Sequence, residues 1–167
     1  MPWRVDDAWM RQELQDAADP GDAILAHGYG YQGPSPRLVV AVSGIVLLLG
    51  LLTAAFTARS WWFALASVVV AAAVYGWLWK RVKFCLVGVS RKHFIVIDLR
   101  GREPLPPARL GLSSIQYPRI IEKEITHILR YNLGDGTLNF IKFTNLPGMP
   151  TNRDACQRIY QAILANI

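Results

Sequence analysis

The chain has 167 residues, 52% of them hydrophobic and 18% charged, with a formal net charge of +6. That length suits one small domain with additions, and the apolar excess argues against both intrinsic disorder and a purely soluble fold. Two cysteines cannot build a disulfide framework, and they fit no zinc-site spacing.

In chain order, residues 1–36 form an acidic arm with two arginines and six carboxylates. Within it Asp6 to Ala17 predicts a short amphipathic helix, with Trp9, Met10, Leu14 and Ala17 toward one side and Asp6 and Asp7 suited to its N-terminus. Asp19-Pro20-Gly21 ends that helix. A brief apolar stretch, Ala23 to Ala26, then leads into a Gly- and Pro-rich connector reaching Pro36.

Residues 37–80 read as a two-helix transmembrane hairpin. Leu38 to Ala58 and Ser60 to Trp79 carry no charge, and each is roughly 30 Å long as a helix, the thickness of a bilayer core. Ser43, Thr53, Thr57 and Ser67 are polar, but each can hydrogen-bond back onto its own helix. The link Ala58-Arg59-Ser60 demands a tight antiparallel turn. Trp61 and Trp62 at one boundary, and Tyr75, Trp77 and Trp79 at the other, follow the aromatic-belt pattern. Lys80, Arg81, Lys83, Arg91 and Lys92 follow the second span, against Arg59 alone in the turn, so the positive-inside rule places both termini in the cytoplasm. A cleaved signal peptide is a poor reading of the first span, which lacks a short basic start and an Ala-x-Ala site. Small residues at Ser67/Ala71 and Ala72/Gly76 recur at a spacing that permits close helix approach.

Residues 81–167 change character. Phe84 to Val89 and His93 to Leu99 read as strands joined by the turn Ser90-Arg91-Lys92. Leu110, Leu112 and Ile115 suggest a short strand or bend, and Arg119 to Glu124 a weak pairing segment. Ile125 to Leu133 alternates in part. Gly134-Asp135-Gly136 is a strong turn signal, and Thr137 to Thr144 alternates cleanly, with Leu138, Phe140 and Lys142 on one face and Asn139, Ile141 and Phe143 on the other. From Arg153 to Ile167, Ala155, Cys156, Ile159, Ala162 and Ile163 recur at helical spacing behind a cap at Thr151 or Asn152. The expected fold is therefore an α-helical membrane hairpin plus an antiparallel sheet closed by a C-terminal helix, of mixed α+β or all-β class.

These segments together resemble bacterial membrane proteins that carry a pleckstrin-homology-like (PH-like) domain. Pro20-Gly21-Asp22-Ala23-Ile24-Leu25 stands where that family has an acidic stretch ahead of its transmembrane hairpin. Leu86 to Val96 is similar to the family's strand–turn–strand, with Ser90 and His93 departing from its Thr and Arg. Leu110-Gly111-Leu112-Ser113-Ser114-Ile115 resembles a further family segment, and the Gly134 hairpin and terminal helix follow in order. The resemblance implies a PH-like domain at residues 81–167 and an accessory, assembly or scaffold role in a larger membrane complex.

Several chemical readings fail on context. Gly28-Tyr29-Gly30-Tyr31-Gln32-Gly33 matches GxGxxG, but it precedes Pro34, Pro36 and a membrane span rather than opening a helix inside a βαβ unit, so it reads as connector. His27, His93 and His127 lie at no metal-ligand spacing. Cys85 and Cys156 read as buried free thiols. Glu122 and Glu124 flank Lys123 as edge charges. Neither span carries an ionisable group for an ion pathway, and the basic residues are too scattered to signal nucleic-acid binding. No catalytic, cofactor or metal site is expected, and the chain reads as a non-enzyme.

The expected partners are the lipid bilayer and other subunits of an inner-membrane complex, or a second copy of the chain. Contacts are expected at sheet edges and loops near Arg109 to Arg119, through strand addition. The alternative is recognition of anionic lipid headgroups by Lys80, Arg81, Lys83, Arg91 and Lys92. Two further uses of the basic surface stay open: pairing with the acidic arm, and solvated charge with no specific partner.

Overall fold

The computed structural model describes residues 6–56, 61–101, 103–145 and 149–167. The expected turn at Ala58-Arg59-Ser60, with Thr57, and the strand-ending Arg102 lie outside the described residues. Two compact units divide the chain: the described residues through Gln32 together with Lys83–Ile167, and the stretch Gly33–Val82.

In the first unit, helix α1 (Asp7–Ala17) is followed by strand β1 (Ala26–Gln32). After the second unit come β2 (Lys83–Val89), β3 (His93–Arg100), β4 (Glu103–Pro104) and β5 (Ala108–Gly111). A 3-10 turn, Leu112–Ser114, leads to β6 (Ile115–Glu122), β7 (Thr126–Leu133), β8 (Leu138–Thr144) and helix α4 (Asn152–Leu164). All pairings are antiparallel, in the order β4-β3-β2-β1-β8-β7-β6, with β5 also on β3.

The acidic arm expected over residues 1–36 is therefore not a separate part. Its helix and a strand belong to the sheet unit, and the supposed connector is β1, which pairs along its whole length with β2 from Ala26↔Val89 to Gln32↔Lys83. The Gly-Tyr-Gly-Tyr sequence makes this strand for a packing reason. A Cβ on Gly28 would lie 2.7 Å from the Ala155 Cβ of α4, and one on Gly30 would lie 2.4 Å from Ile141 Cγ2. Glycine lets β1 sit tightly beneath α4 and β8, while the intervening Tyr29 and Tyr31 point to the opposite face, both buried.

The sheet consequently has two apolar layers. On one face Cys85, Val87, Val89, Phe94, Leu129, Ile141 and Phe143 pack under Cys156, Ile159 and Ile163 of α4. On the other, Tyr29, Leu86, Ile95 and Ile97 pack under Met10, Leu14 and Ala17 of α1. β2 is buried on both sides, and Gly88 leaves room for Leu14, whose Cδ2 would sit 3.0 Å from an added Cβ. Full burial of Met10 and Leu14 contributes about 1.5–3 kcal/mol each, so α1 is an integral layer.

The second unit holds helices α2 (Pro36–Phe56) and α3 (Trp61–Trp79). Both are long and apolar enough to cross a membrane, and few of their residues are buried. They pack on each other where Gly50 meets Ser67, since a Cβ on Gly50 would lie 2.2 Å from Ser67 Oγ. Ser67 thus serves the pairing and Ala71 is buried, whereas nothing lies within 4 Å of a Cβ placed on Gly76. Ser43, Thr53 and Ser67 donate to carbonyls three or four residues back at 2.7–2.9 Å.

Candidate interaction surface

Three features of the sheet unit combine side chains from distant parts of the sequence. The first is a junction built by Asn152. Past the single rung Tyr31↔Lys142, β1 and β8 no longer pair directly. The buried Asn152 carboxamide fills the gap: its Oδ1 accepts from the Tyr29 N–H at 2.9 Å, and its Nδ2 donates to the carbonyls of Tyr29 and Thr144, each at 2.8 Å. An amide side chain thereby replaces a missing ladder rung, because it offers the donor and acceptor of a peptide group. The sequence suggested Asn152 or Thr151 as a helix cap. Thr151 occupies the cap position but its side chain makes no capping bond, and Asn152 serves the sheet.

The second feature is an ionic latch where the segment after α1 meets the β2–β3 turn. Asp22, 5% exposed at its side chain, accepts from the Arg91 N–H through Oδ1 at 3.2 Å. Burial pushes its carboxyl up, but hydrogen bonds from Ser90 and the backbone at Arg91 and Lys92, with His93 nearby, outweigh that and hold it below its ordinary value. Asp22 Oδ2 has no hydrogen-bond partner and lies 3.8 Å from His93 Nδ1. Asp19 faces the same ring at 3.6 Å and pairs with Arg109 at 2.9 Å. Ser90 shapes the turn itself by accepting from the His93 N–H at 3.0 Å. A separate contact, His27 Nε2 to Asp7 Oδ1 at 3.0 Å, ties α1 to β1, beside a cleft of about 490 Å³ that reaches Met149 and Arg158.

The third feature is an uncovered sheet face. Tyr31 and Lys142 are paired and so project to the same side of the sheet, the α1 side. The register carries that side outward to Ile128 and Ile121, and in the next row from Phe140 to Arg130 and Arg119. α1 covers the β1–β3 half of this face. Over β6–β8 it is open: Phe140 is 43%, Leu138 47% and Ile121 40% exposed, and Arg119 and Arg130 are exposed beside them. Lys142 lies 5.4 Å from the centre of the Phe140 ring and 5.9 Å from that of Tyr31. Burial, with Lys123 nearby, holds its ammonium below the ordinary lysine value. Every charged residue that the strand registers place on this half is a cation.

Within the sheet unit the residues singled out from the sequence do not form one surface. Lys80 and Arg81 end the helical unit, with the Arg81 guanidinium 3.9 Å from the Trp77 ring centre. Lys83 opens β2, whereas Arg91 and Lys92 lie in the turn at its other end, about 25 Å away at strand rise. Arg109 is engaged with Asp19, and Arg119 lies on the open face. Strand addition along 109–119 is poorly served. Arg109 is in β5, a 3-10 turn intervenes, and the start of β6 has a register shift at Gln116/Arg119, a positive φ at Tyr117 and Pro118, which lacks an N–H. The face stayed hidden in the sequence because it takes two or three residues from each of three strands, and only their register brings them together. The clean alternation at Leu138, Phe140 and Lys142 was its one visible sign.

Cys85 and Cys156 are buried free thiols. Burial, then Glu122, pushes the Cys156 thiol up to about 12, and burial raises Cys85 as well. Gly28 and Gly30 of the GxGxxG sequence lie in a packed strand, and Gly33 follows it with a positive φ. The chain matches no family model, no curated protein and no solved structure.

Proposed function

We propose that this chain is a non-enzymatic accessory or scaffold subunit of a bacterial inner-membrane complex. In this reading α2 and α3 cross the bilayer as an antiparallel hairpin with both termini cytoplasmic, and the sheet unit is a PH-like module that binds a partner protein. One observation carries it: two helices of bilayer length, apolar all round and little buried, are spliced into the β1–β2 turn of a unit whose sheet keeps one half-face uncovered. A helix apolar on every side needs an apolar environment, which lipid supplies when the protein's own core does not. The stacked pairs Trp61/Trp62 and Tyr75/Trp79 sit at the two ends of α3, as membrane-boundary aromatics do.

The test is crosslinking in native membranes followed by purification in mild detergent. A defined stoichiometric complex containing this chain supports the reading, and recovery of the chain as a lone monomer overturns it. A second reading, binding of anionic headgroups, is favoured by the Arg81–Trp77 stack next to Lys80 in the chain, at the end of α3. Protein reconstituted into vesicles would then hold phosphatidylglycerol in preference to phosphatidylcholine, and salt would weaken that preference.

A further inference from the structure

The uncovered half of the sheet has the dimensions and chemistry of a helix seat. Three strands span about 10 Å from first to last, close to the diameter of one α-helix. The other half of the same face already carries such a helix, α1, which buries Met10, Leu14 and Ala17 and keeps Asp7 and Asp16 exposed. Over β6–β8 the apolar groups are Ile121, Ile128 and Phe140, and the charges are Arg119, Arg130 and Lys142. Among the described residues the unit's ion pairs gather at Asp7, Asp19 and Asp22, and Arg119 and Arg130 enter none of them. Apolar groups bordered by one sign of charge ask for an amphipathic partner of the other sign.

We infer that the β6–β8 face is the docking surface for a single amphipathic helix of a partner protein, with its apolar stripe on Ile121, Ile128 and Phe140 and an acidic flank toward Arg119, Arg130 and Lys142. This rests on the scaffold reading above and names the chemistry of the partner. The helix-in-groove mode fits this surface better than strand addition, because the outer edge of β6 is interrupted at Pro118. Beyond Tyr29, the free edge of β1 offers only the His27 rung.

The probe is a fluorescein-labelled helical peptide with leucines at i, i+3, i+4 and i+7 and a glutamate flank. It is titrated against the full chain in phosphatidylcholine nanodiscs, with a lysine-flanked twin as control. The glutamate peptide is expected to bind in preference to its twin, and Arg119→Glu/Arg130→Glu should weaken it by about tenfold or more. Phe140→Ser should weaken both peptides. Circular dichroism of each variant checks that the sheet unit is intact. Equal binding of the two peptides, or indifference to the double reversal, overturns the proposal. So does a double reversal that abolishes phosphatidylglycerol vesicle binding but spares the peptide, since the face then serves lipid. A native complex that survives the double reversal removes this site and leaves the scaffold reading standing. Peptide binding without any native complex does the opposite.

Discussion

Replacing Asn152 by alanine removes the carboxamide that stands in for a rung between β1 and β8. Three hydrogen bonds of 2.8–2.9 Å are lost, leaving the Tyr29 N–H and C=O and the Thr144 C=O without that partner. A buried backbone group without a partner costs about 1–3 kcal/mol. Thr144 is only half-buried, and water entering the vacated space offsets part of the loss, so the expected destabilisation is about 2–4 kcal/mol. Hydrogen exchange of the full chain in nanodiscs, followed at residues 26–32, should then accelerate by about 30- to 700-fold when exchange reports the opening equilibrium. Asn152→Asp separates the amide from its shape. It can still accept from Tyr29, but it turns an anionic oxygen on two carbonyls, so its carboxyl rises on folding and the loss should shrink as pH falls and the group protonates. Thr151→Ala is the control, with little effect expected because that side chain makes no capping bond. Less than a threefold change for Asn152→Ala, or an equal change for Thr151→Ala, would refute the idea that this amide holds the two strands together.

The same unit yields three more expectations. Gly28→Ala should destabilise by about 1–3 kcal/mol through overpacking against Ala155, and Gly28→Ala/Ala155→Gly should recover part of that loss in thermal unfolding. Raising pH above 9 should destabilise the fold. The Cys156 thiol titrates near 9.0 when exposed and at about 12 when folded, so the unfolded state loses the proton first and stability falls by up to about 1.4 kcal/mol per pH unit for that group; Cys156→Ala should flatten the slope measured between pH 9 and 11. Asp22→Asn should cost about 1–2 kcal/mol at neutral pH by weakening the latch to the β2–β3 turn. Because folding depresses the Asp22 carboxyl, its contribution is present above its ordinary value of 3.8 and fades as pH falls below it. Unfolding curves of wild type and variant should therefore converge in acid, and a gap independent of pH would count against the latch.

Much of the architecture was legible because periodicity marks it. Met10, Leu14 and Ala17 lie on one helical face of α1, the two uncharged runs became α2 and α3, and Ser90-Arg91-Lys92 separates β2 from β3. β6 is a full strand from Ile115 rather than a weak segment beginning at Arg119. β1 was misread because two prolines and three glycines in residues 28–36 mimic a linker, and its partner β2 begins only after the whole helical unit. What gave it away in retrospect is the Gly-Tyr alternation, which puts bulk on one face and none on the other. Beyond the alternation in β8, the open face needs the strand register to be assembled, and the sequence offers Asn152 beside Thr151 as a cap because caps and sheet amides use the same residue types.

The β1–β2 pairing also sets the order in which the protein can assemble. β1 leaves the ribosome before its partner, which arrives only after residues 33–82 have been made. For a floppy chain, joining ends across about fifty residues would cost roughly 3.5 kcal/mol more than closing a minimal loop. Helices packed at Gly50 and Ser67 shorten that search by returning Arg81 to Gly33, whose missing side chain lets the two backbones nearly touch. In a membrane setting the hairpin would have to be inserted before the first strand could find its neighbour, so completion of the sheet would itself report that the anchor is in place.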